Sequence, residues 1–330
     1  MRRLDIDRAK GLAIMLVVFG HIVARQDPAH VAWYPPLRRG IYGFHMPFFF
    51  YLSGMVASLA SHVRVPPRAW AGLLKSRARR LLLPFAVMGL LIIAGKLAAA
   101  RFMYVDNPPH SVLAGMIDLV WNPGRSPAYS LWYLAVLFVL GITTPVAVWL
   151  ARNRLWLVLL GFVALEWATP PWHLYLADIC RYGLFYVIGI GAGAAGARWT
   201  DWIDRWHRPL MAVFATGFVL VARFGHAWPF DLRLLALGII SMPAVHSLVR
   251  RPWLSSDRIL VTMGRYSLMI YLFNTIFIGF TKGVLLHLTS WNGDHFLLFL
   301  VAMMTTGMIG PIVLKRTVLR AIPPLDRMTG

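Results

Sequence analysis

Acidic residues are scarce in this sequence. Thirteen Asp and Glu stand against 33 Lys and Arg, for a net charge of +20, and Glu166 is the only glutamate. A single cysteine, Cys180, excludes an internal disulfide and any metal site built from several thiolates. Charge of either sign is thin, at 14% of residues, against about 25% in soluble domains. There is no His-Glu-x-x-His, no Walker loop, no Gly-x-Ser-x-Gly, no repeat and no low-complexity tail, so the classes announced by those motifs are not indicated. What is present is apolar: 58% hydrophobic residues, 14 Trp and a mean hydropathy of +0.63 in 330 residues. These values describe a polytopic membrane protein. A strongly basic chain first raises nucleic-acid binding. Here the cations lie between apolar runs, where the positive-inside rule accounts for them, and no nucleic-acid partner is expected.

Ten apolar segments follow one another at roughly 11–26, 41–61, 82–100, 112–121 joined with 129–150, 155–168, 177–197, 209–224, 231–249, 259–281 and 295–314. They predict an all-α bundle of about ten membrane helices in one domain, 1–330, with no appended soluble domain. The N-terminus imitates a signal peptide, but no small-x-small cleavage site follows Val23, so a retained helix is expected. The loops alternate in charge. One set holds Arg64, Arg68, Lys75, Arg77, Arg79 and Arg80, then Arg152 and Arg154, then Arg198, Arg205 and Arg208, then Arg250, Arg251 and Arg258. The opposite set holds few, among them Arg25, Arg38, Arg39, Arg101 and Arg125. Both chain ends are basic (Arg2, Arg3, Arg8; Lys315, Arg316, Arg320, Arg327), which puts both termini in the cytoplasm.

The first segment carries the sharpest pattern. Lys10 and His21 bracket an uninterrupted apolar run. Eleven helical residues are about three turns, so both side chains fall on one face, roughly 16 Å apart along the axis. Asp7 lies three residues before Lys10, near the same stripe. An ionisable residue inside a membrane helix is a functional candidate by default. A second histidine, His45, opens the next run, His45-Met-Pro-Phe-Phe-Phe-Tyr-Leu-Ser-Gly54.

Asp-x-x-Lys-Gly followed by an apolar run and Gly-His, then His-Met-Pro-Phe-Phe-Phe-x-x-Ser-Gly, resembles the membrane acyltransferase-3 family. In that family's first motif, Arg and His are separated by ten residues; here Lys10 and His21 occupy those places. The Lys form resembles the fucose O-acetylase-like branch. Ser130-Leu-Trp132-Tyr133-Leu134 resembles the family's Trp-Phe-Leu signature. Arg77 and Arg80 match its Arg-x-x-Arg motif, implicated there in acyl-CoA use. Met263 to Asn274 resembles a late motif that often ends Tyr-Leu-x-His, with Asn274 in place of the His.

The resemblance implies an O-acyltransferase of the bacterial inner membrane. It would use cytoplasmic acyl-CoA, above all acetyl-CoA, and a saccharide acceptor, with no metal. His21, His45 and Asp7 are the candidate catalytic residues. Lys10, Arg77 and Arg80 are the candidate donor-binding cations, with a topology signal touching anionic lipid as the competing reading of the two arginines. Glu166, Arg181, Asn274 and Tyr271 are candidate supporting residues, Glu166 needing His21, His45 or Arg181 as a partner. Gly191-Ala-Gly193-Ala-Ala-Gly196 is a helix-packing pattern, not a dinucleotide fingerprint, because no strand precedes it. Asp106-Asn-Pro-Pro-His110 begins an irregular outer loop beside the acceptor entrance. Rival classes are a proton-coupled transporter or flippase, and a membrane scaffold whose motif has decayed. The oligomeric state is not legible.

The charge alternation generates a direct test. In a Cys180→Ser background, Arg77→Cys should react with a membrane-impermeant maleimide only after permeabilisation. Labelling in intact cells would invert the topology.

Overall fold

The computed structural model describes residues 3–23, 27–102, 105, 107–255 and 257–329. Arg2, Arg25 and Asp106, and the last three residues of the expected first span, lie outside the described residues. Among the described residues there is no β-strand, only an isolated parallel bridge between Ala29 and Asn292. The chain divides into two compact units, Met1–Leu52 with Ala195–Gly330, and Ser53–Ala194.

Among the described residues, seven helical stretches are long and apolar enough to cross a membrane: Pro67–Ala99, Tyr129–Leu150, His173–Ala195, His207–Ala227, Phe230–Val249, Ser267–Leu288 and Phe296–Ala321. The other three expected spans are helical but depart from that pattern. Helix α1 (Leu4–His21) carries Asp5, Asp7, Arg8 and Lys10 in its first two turns, α3 (His45–Leu59) has 15 residues, and α8 (Leu155–Leu165) has 11. Buried α1 and α3 residues meet protein rather than lipid, which relaxes the length a lipid-facing helix needs.

The first unit holds α1, α2 (Tyr34–Tyr42), the start of α3, and the C-terminal helices introduced below. Asp5 and Asp7 in the first turn of α1 complement its dipole. Ala9, Ala13, Ile14 and Val18 are fully buried. Around α1 stand α12 (Phe230–Val249), α14 (Arg258–Arg265), α15 (Ser267–Leu288) and α16 (Phe296–Thr317), with α2 at its far end. The expected span 259–281 is instead two helices, because the chain bends at Tyr266. Asp257 caps α14 by accepting bonds from the amides of Ile259 and Leu260. Its short helix then lies directly on α1. A Cβ on Gly11 would sit 2.0 Å from the Leu260 carbonyl oxygen, and one on Gly264 would sit 1.8 Å from that of Asp7. Only glycine permits this reciprocal backbone approach.

The N-terminal end of α1 is tied by charge. Asp5 accepts from Arg3 at 2.7 Å and Arg250 at 3.0 Å, and lies 3.5 Å from His246 Nε2. Asp204, on α10 (Ala197–Arg205), binds Arg250 at 2.6 Å and also Arg251. Tyr51 is hydrogen-bonded to His246 Nδ1 at 2.8 Å and accepts from Trp199 Nε1 at 2.8 Å. Arg8 donates to the Val249 carbonyl at 2.7 Å. Burial pushes the Asp5 carboxyl up, but bonds from His246 and Arg3 outweigh it and hold the group below the usual carboxylate range. Asp204 is likewise held low, Arg250 overcoming the burial.

The second unit holds the end of α3, then α4 (Trp70–Arg77), α5 (Leu83–Ala99), α6 (Val112–Trp121), α7 (Trp132–Leu150), α8 and most of α9 (Leu176–Ala195). The sequence reading joined 112–121 to 129–150. They are separate helices: Ser111 caps α6, and Pro123 with two 3₁₀ turns breaks the chain before α7. A π-turn, Ala78–Leu82, connects α4 to α5. Of the glycine pattern near residue 191, Gly193 packs closely, a Cβ there meeting Ser58 Cβ at 2.8 Å, whereas Gly191 meets only Leu155 at 3.8 Å and Gly196 nothing within 4 Å; a Cβ on Gly54 would clash with the Tyr186 carbonyl oxygen, so α3 and α9 touch backbone to backbone.

Gly264→Ala should destabilise the protein by about 1–3 kcal/mol, the usual cost of overpacking. Gly279→Ala, which meets nothing within 4 Å, should be neutral or slightly stabilising. Unfolding in detergent measures both, and equal effects would mean that the α1–α14 crossing is not a tight contact.

Candidate functional site

The residues with chemical potential in the first unit gather where α1 ends. The last carbonyls of a helix lack intrahelical donors. Here Tyr34 donates its hydroxyl to the Phe19 carbonyl at 2.9 Å and Tyr42 donates to that of Gly20 at 3.1 Å. Both tyrosines come from α2, so α2 caps α1 and fixes His21, the residue on which α1 stops.

His21 Nδ1 lies 2.7 Å from Asn274 Oδ1. The Asn274 amide nitrogen faces two carbonyl oxygens of its own helix, Ile270 and Tyr271, each at 2.8 Å. Turning the amide over would set oxygen against oxygen twice, so Oδ1 faces His21. An amide oxygen only accepts, which requires that His21 Nδ1 carry the proton. In the neutral ring the lone pair then sits on Nε2, the nitrogen away from Asn274. Fully buried Asn274 acts as a fixed acceptor that selects one tautomer.

His45, buried as the first residue of α3, is oriented the same way. Its Nδ1 donates to the Ile41 carbonyl at 2.9 Å, and its ring stands edge-on to Tyr42 at 5.0 Å. The two imidazoles are electrostatic neighbours, and the Arg38 charge reaches His21. Arg38 lies over the Tyr42 ring, 5.3 Å from its centroid, and is 3.3 Å from Asp27. The first unit thus combines two imidazoles whose Nδ1 atoms are committed to acceptors, a phenol and a guanidinium. Proton abstraction from a hydroxyl, with a cation to steady developing negative charge, is within its reach. Arg38 and Tyr42 were not singled out from sequence. Their signal is the spacing Arg38-x-x-x-Tyr42-x-x-His45, one helical face across a short break.

The other expected residues are placed as follows. Lys10 is half-buried and Asp7 buried, both on α1, about 16 and 21 Å along the axis from His21. The fold does not bring Asp7 to the His21–His45 pair. Tyr271, buried, contributes its carbonyl to Asn274. Glu166 and Arg181 belong to the second unit. Glu166 ends α8 beside Cys180, while Arg181 is 3.5 Å from Asp178 and 5.5 Å from the Trp172 ring centroid.

Arg77 and Arg80 also belong to the second unit. Half-buried Arg77 packs over Gly141, interacts with Tyr186, and approaches His62 Nδ1 at 3.4 Å. Arg79 and Arg80 are exposed. Ser53 and Tyr133, from two of the quoted motifs, share a 2.6 Å hydrogen bond in the same unit. His62 was missed because nothing in its neighbourhood of sequence marks it. Among the described residues, no group of three or more His, Cys, Asp or Glu is arranged to hold a metal ion.

Comparison with known proteins adds three findings. The acyltransferase-3 family, described as an acyltransferase domain, matches residues 3–316. The nodulation protein NolL of Mesorhizobium japonicum is 28% identical over 191 residues, 57% of this chain and 47% of that protein. NolL of Sinorhizobium fredii is 31% identical over 192 residues, 57% of this chain and 48% of its own. The matched region spans about half the length of these curated relatives. No solved structure matches.

The tautomer is measurable. In ¹⁵N spectra, with His21→Gln used for assignment, His21 should show a protonated Nδ1 and an unprotonated Nε2. Asn274→Leu should leave a mixture of tautomers. An unprotonated Nδ1 in the unsubstituted protein would refute the assignment.

Proposed function

The chain belongs to the acyltransferase-3 family, and from that premise we propose that it moves an acyl group, in the first instance acetyl, from cytoplasmic acyl-CoA to a hydroxyl of a saccharide at or beyond the outer face of a bacterial inner membrane. The observation that carries the reading is the His21–Asn274 bond, which aims one unprotonated nitrogen away from its support.

The steps follow from that nitrogen. His21 Nε2 takes the acceptor hydroxyl's proton as its oxygen attacks the thioester carbonyl. The C–S bond breaks, the electron pair leaves on the CoA sulfur, and the imidazolium returns its proton to that thiolate. Asn274 keeps Nδ1 protonated throughout and is a positioning residue. Arg38 faces the negative charge that develops on the carbonyl oxygen. His45, whose Nδ1 is committed to Ile41, offers an acceptor nitrogen and orients the incoming hydroxyl. Arg77 and Arg80 bind donor phosphates, for which guanidinium forks are suited.

Sealed vesicles of known orientation test the reading. Acyl-CoA should be consumed only from the cytoplasmic face, free CoA should appear on that face, and the label should appear on a saccharide supplied opposite. His21→Ala should lose about 100-fold or more, the usual range for a general base. Asn274→Ala should lower kcat about tenfold with little change in KM. Intact acyl-CoA together with solute uptake driven by a proton gradient would replace this reading with transport.

A further inference from the structure

A cluster of cations in the second unit stands without acid. Arg77 Nη2 lies 3.4 Å from His62 Nδ1, and the Arg80 charge also reaches the imidazole. Among the described residues, no carboxylate pairs with Arg77 or Arg80, and Arg77 Nε is buried without an acceptor. An arginine offers only donors, so a guanidinium approaching Nδ1 requires a lone pair there. His62 is therefore neutral at rest. Burial and the two arginines lower its affinity for a proton.

The backbone holds His62 at this spot. Helix α3 ends in a Schellman turn: the His62 amide donates to the Ala57 carbonyl at 2.9 Å and the Ser61 amide to that of Ser58 at 3.0 Å. Ser61 takes the left-handed conformation, φ 57°, where glycine is the ordinary choice. From the other side, the π-turn that follows Arg77 separates it from exposed Arg80. Insertions of this type frequently mark functional positions.

We propose that His62 is a third phosphate contact of the donor site, taking up a proton when a CoA phosphate settles on Arg77 and Arg80, so that donor binding tightens as the pH falls. The inference rests on the donor reading above and adds the residue that makes the site sense protons. The charged groups facing His62 are Arg77 from α4 and Arg80 from the π-turn, and both oppose its protonation until an anion arrives. An anion reverses the balance. Its negative charge favours imidazolium, Arg77 turns its donors to phosphate oxygens, and the His62 N–H groups can do the same. The sign follows: a group whose proton affinity rises on binding strengthens binding as the pH drops from above the histidine range through it.

The test measures CoA affinity of the purified full-length protein from pH 8 to pH 5.5. The readout is the ratio of wild-type affinity to that of His62→Gln, in which titration of the ligand's own phosphates cancels. The ratio should rise about three- to tenfold across the range, corresponding to a displacement of roughly half to one pKa unit. His62→Lys, charged throughout, should bind well at pH 8, which mere packing by His62 does not explain. Pantetheine, which has no phosphate, should give a flat ratio. Calorimetry of the wild type with 3′-dephospho-CoA, in two buffers of different ionisation enthalpy near pH 6.5, should register proton uptake even where a variant folds poorly. A flat CoA ratio with binding still weakened by Arg77→Gln overturns the role of His62 and leaves the donor reading standing. Absence of CoA binding, or equal binding by Arg77→Gln, overturns both.

Discussion

A polar group surrounded by hydrocarbon must find its partner inside the protein, and α1 is arranged around that constraint at both ends. At its start, Asp5 is enclosed by Arg3, Arg250 and His246. At its finish, two tyrosine hydroxyls and one amide oxygen satisfy the carbonyls and the imidazole that a terminating helix exposes. From Gly11 to Gly20 the helix is apolar and mostly buried, and at Gly11 it is pressed backbone to backbone on α14. His21 inherits its position from these contacts. Its place on the helix is set by the chain, its height by the crossing with α14, and its ring orientation by Asn274.

The shortage of acid separates two kinds of cation. Asp5 and Asp204 are shared among Arg3, Arg250 and Arg251, and Asp178 lies against Arg181. Such pairs hold helices together and have little left for a ligand. With 13 acids against 33 basic side chains, most cations cannot be matched this way. Many of them lie between apolar runs, where the positive-inside rule accounts for such charge. Arg77 differs from those, because it is half-buried, is set over a glycine and faces an imidazole rather than water. Desolvating a guanidinium without a counter-ion is unfavourable, and an anionic substrate group is the kind of partner that would relieve it.

The all-α membrane class and the close approach at Gly193 were legible because each depends on local pattern: apolar length and small-residue spacing. Breaks were harder. The bend at Tyr266 has no proline to announce it, and the docking of Gly264, two residues before the bend, onto α1 depends on a partner 257 residues away in sequence, at Asp7. The π-turn after Arg77 likewise has no signature in Ala-Arg-Arg-Leu-Leu, so a plain α-helical face for Arg77 and Arg80 was the natural expectation. Arg38 and His62 escaped for a different reason. Each lies near a residue that the motifs mark, Arg38 by its charge on His21 and His62 against Arg77, and this tertiary proximity is not carried by spacing along one segment.

Asn274 shows how a departure from a pattern can be read chemically. An imidazole at that position can donate or accept from either nitrogen and can gain charge, so its bond to His21 would not by itself choose a tautomer. The amide has distinct ends. Two backbone carbonyls of α15 occupy its donor end at 2.8 Å each, leaving the oxygen as the only group that can face His21. The amide does not titrate, so this choice persists across the pH range in which histidine changes charge. The substitution therefore exchanges a second titratable ring for a fixed dipole, and the one nitrogen left unprotonated at the end of α1 is the one that points away from the support.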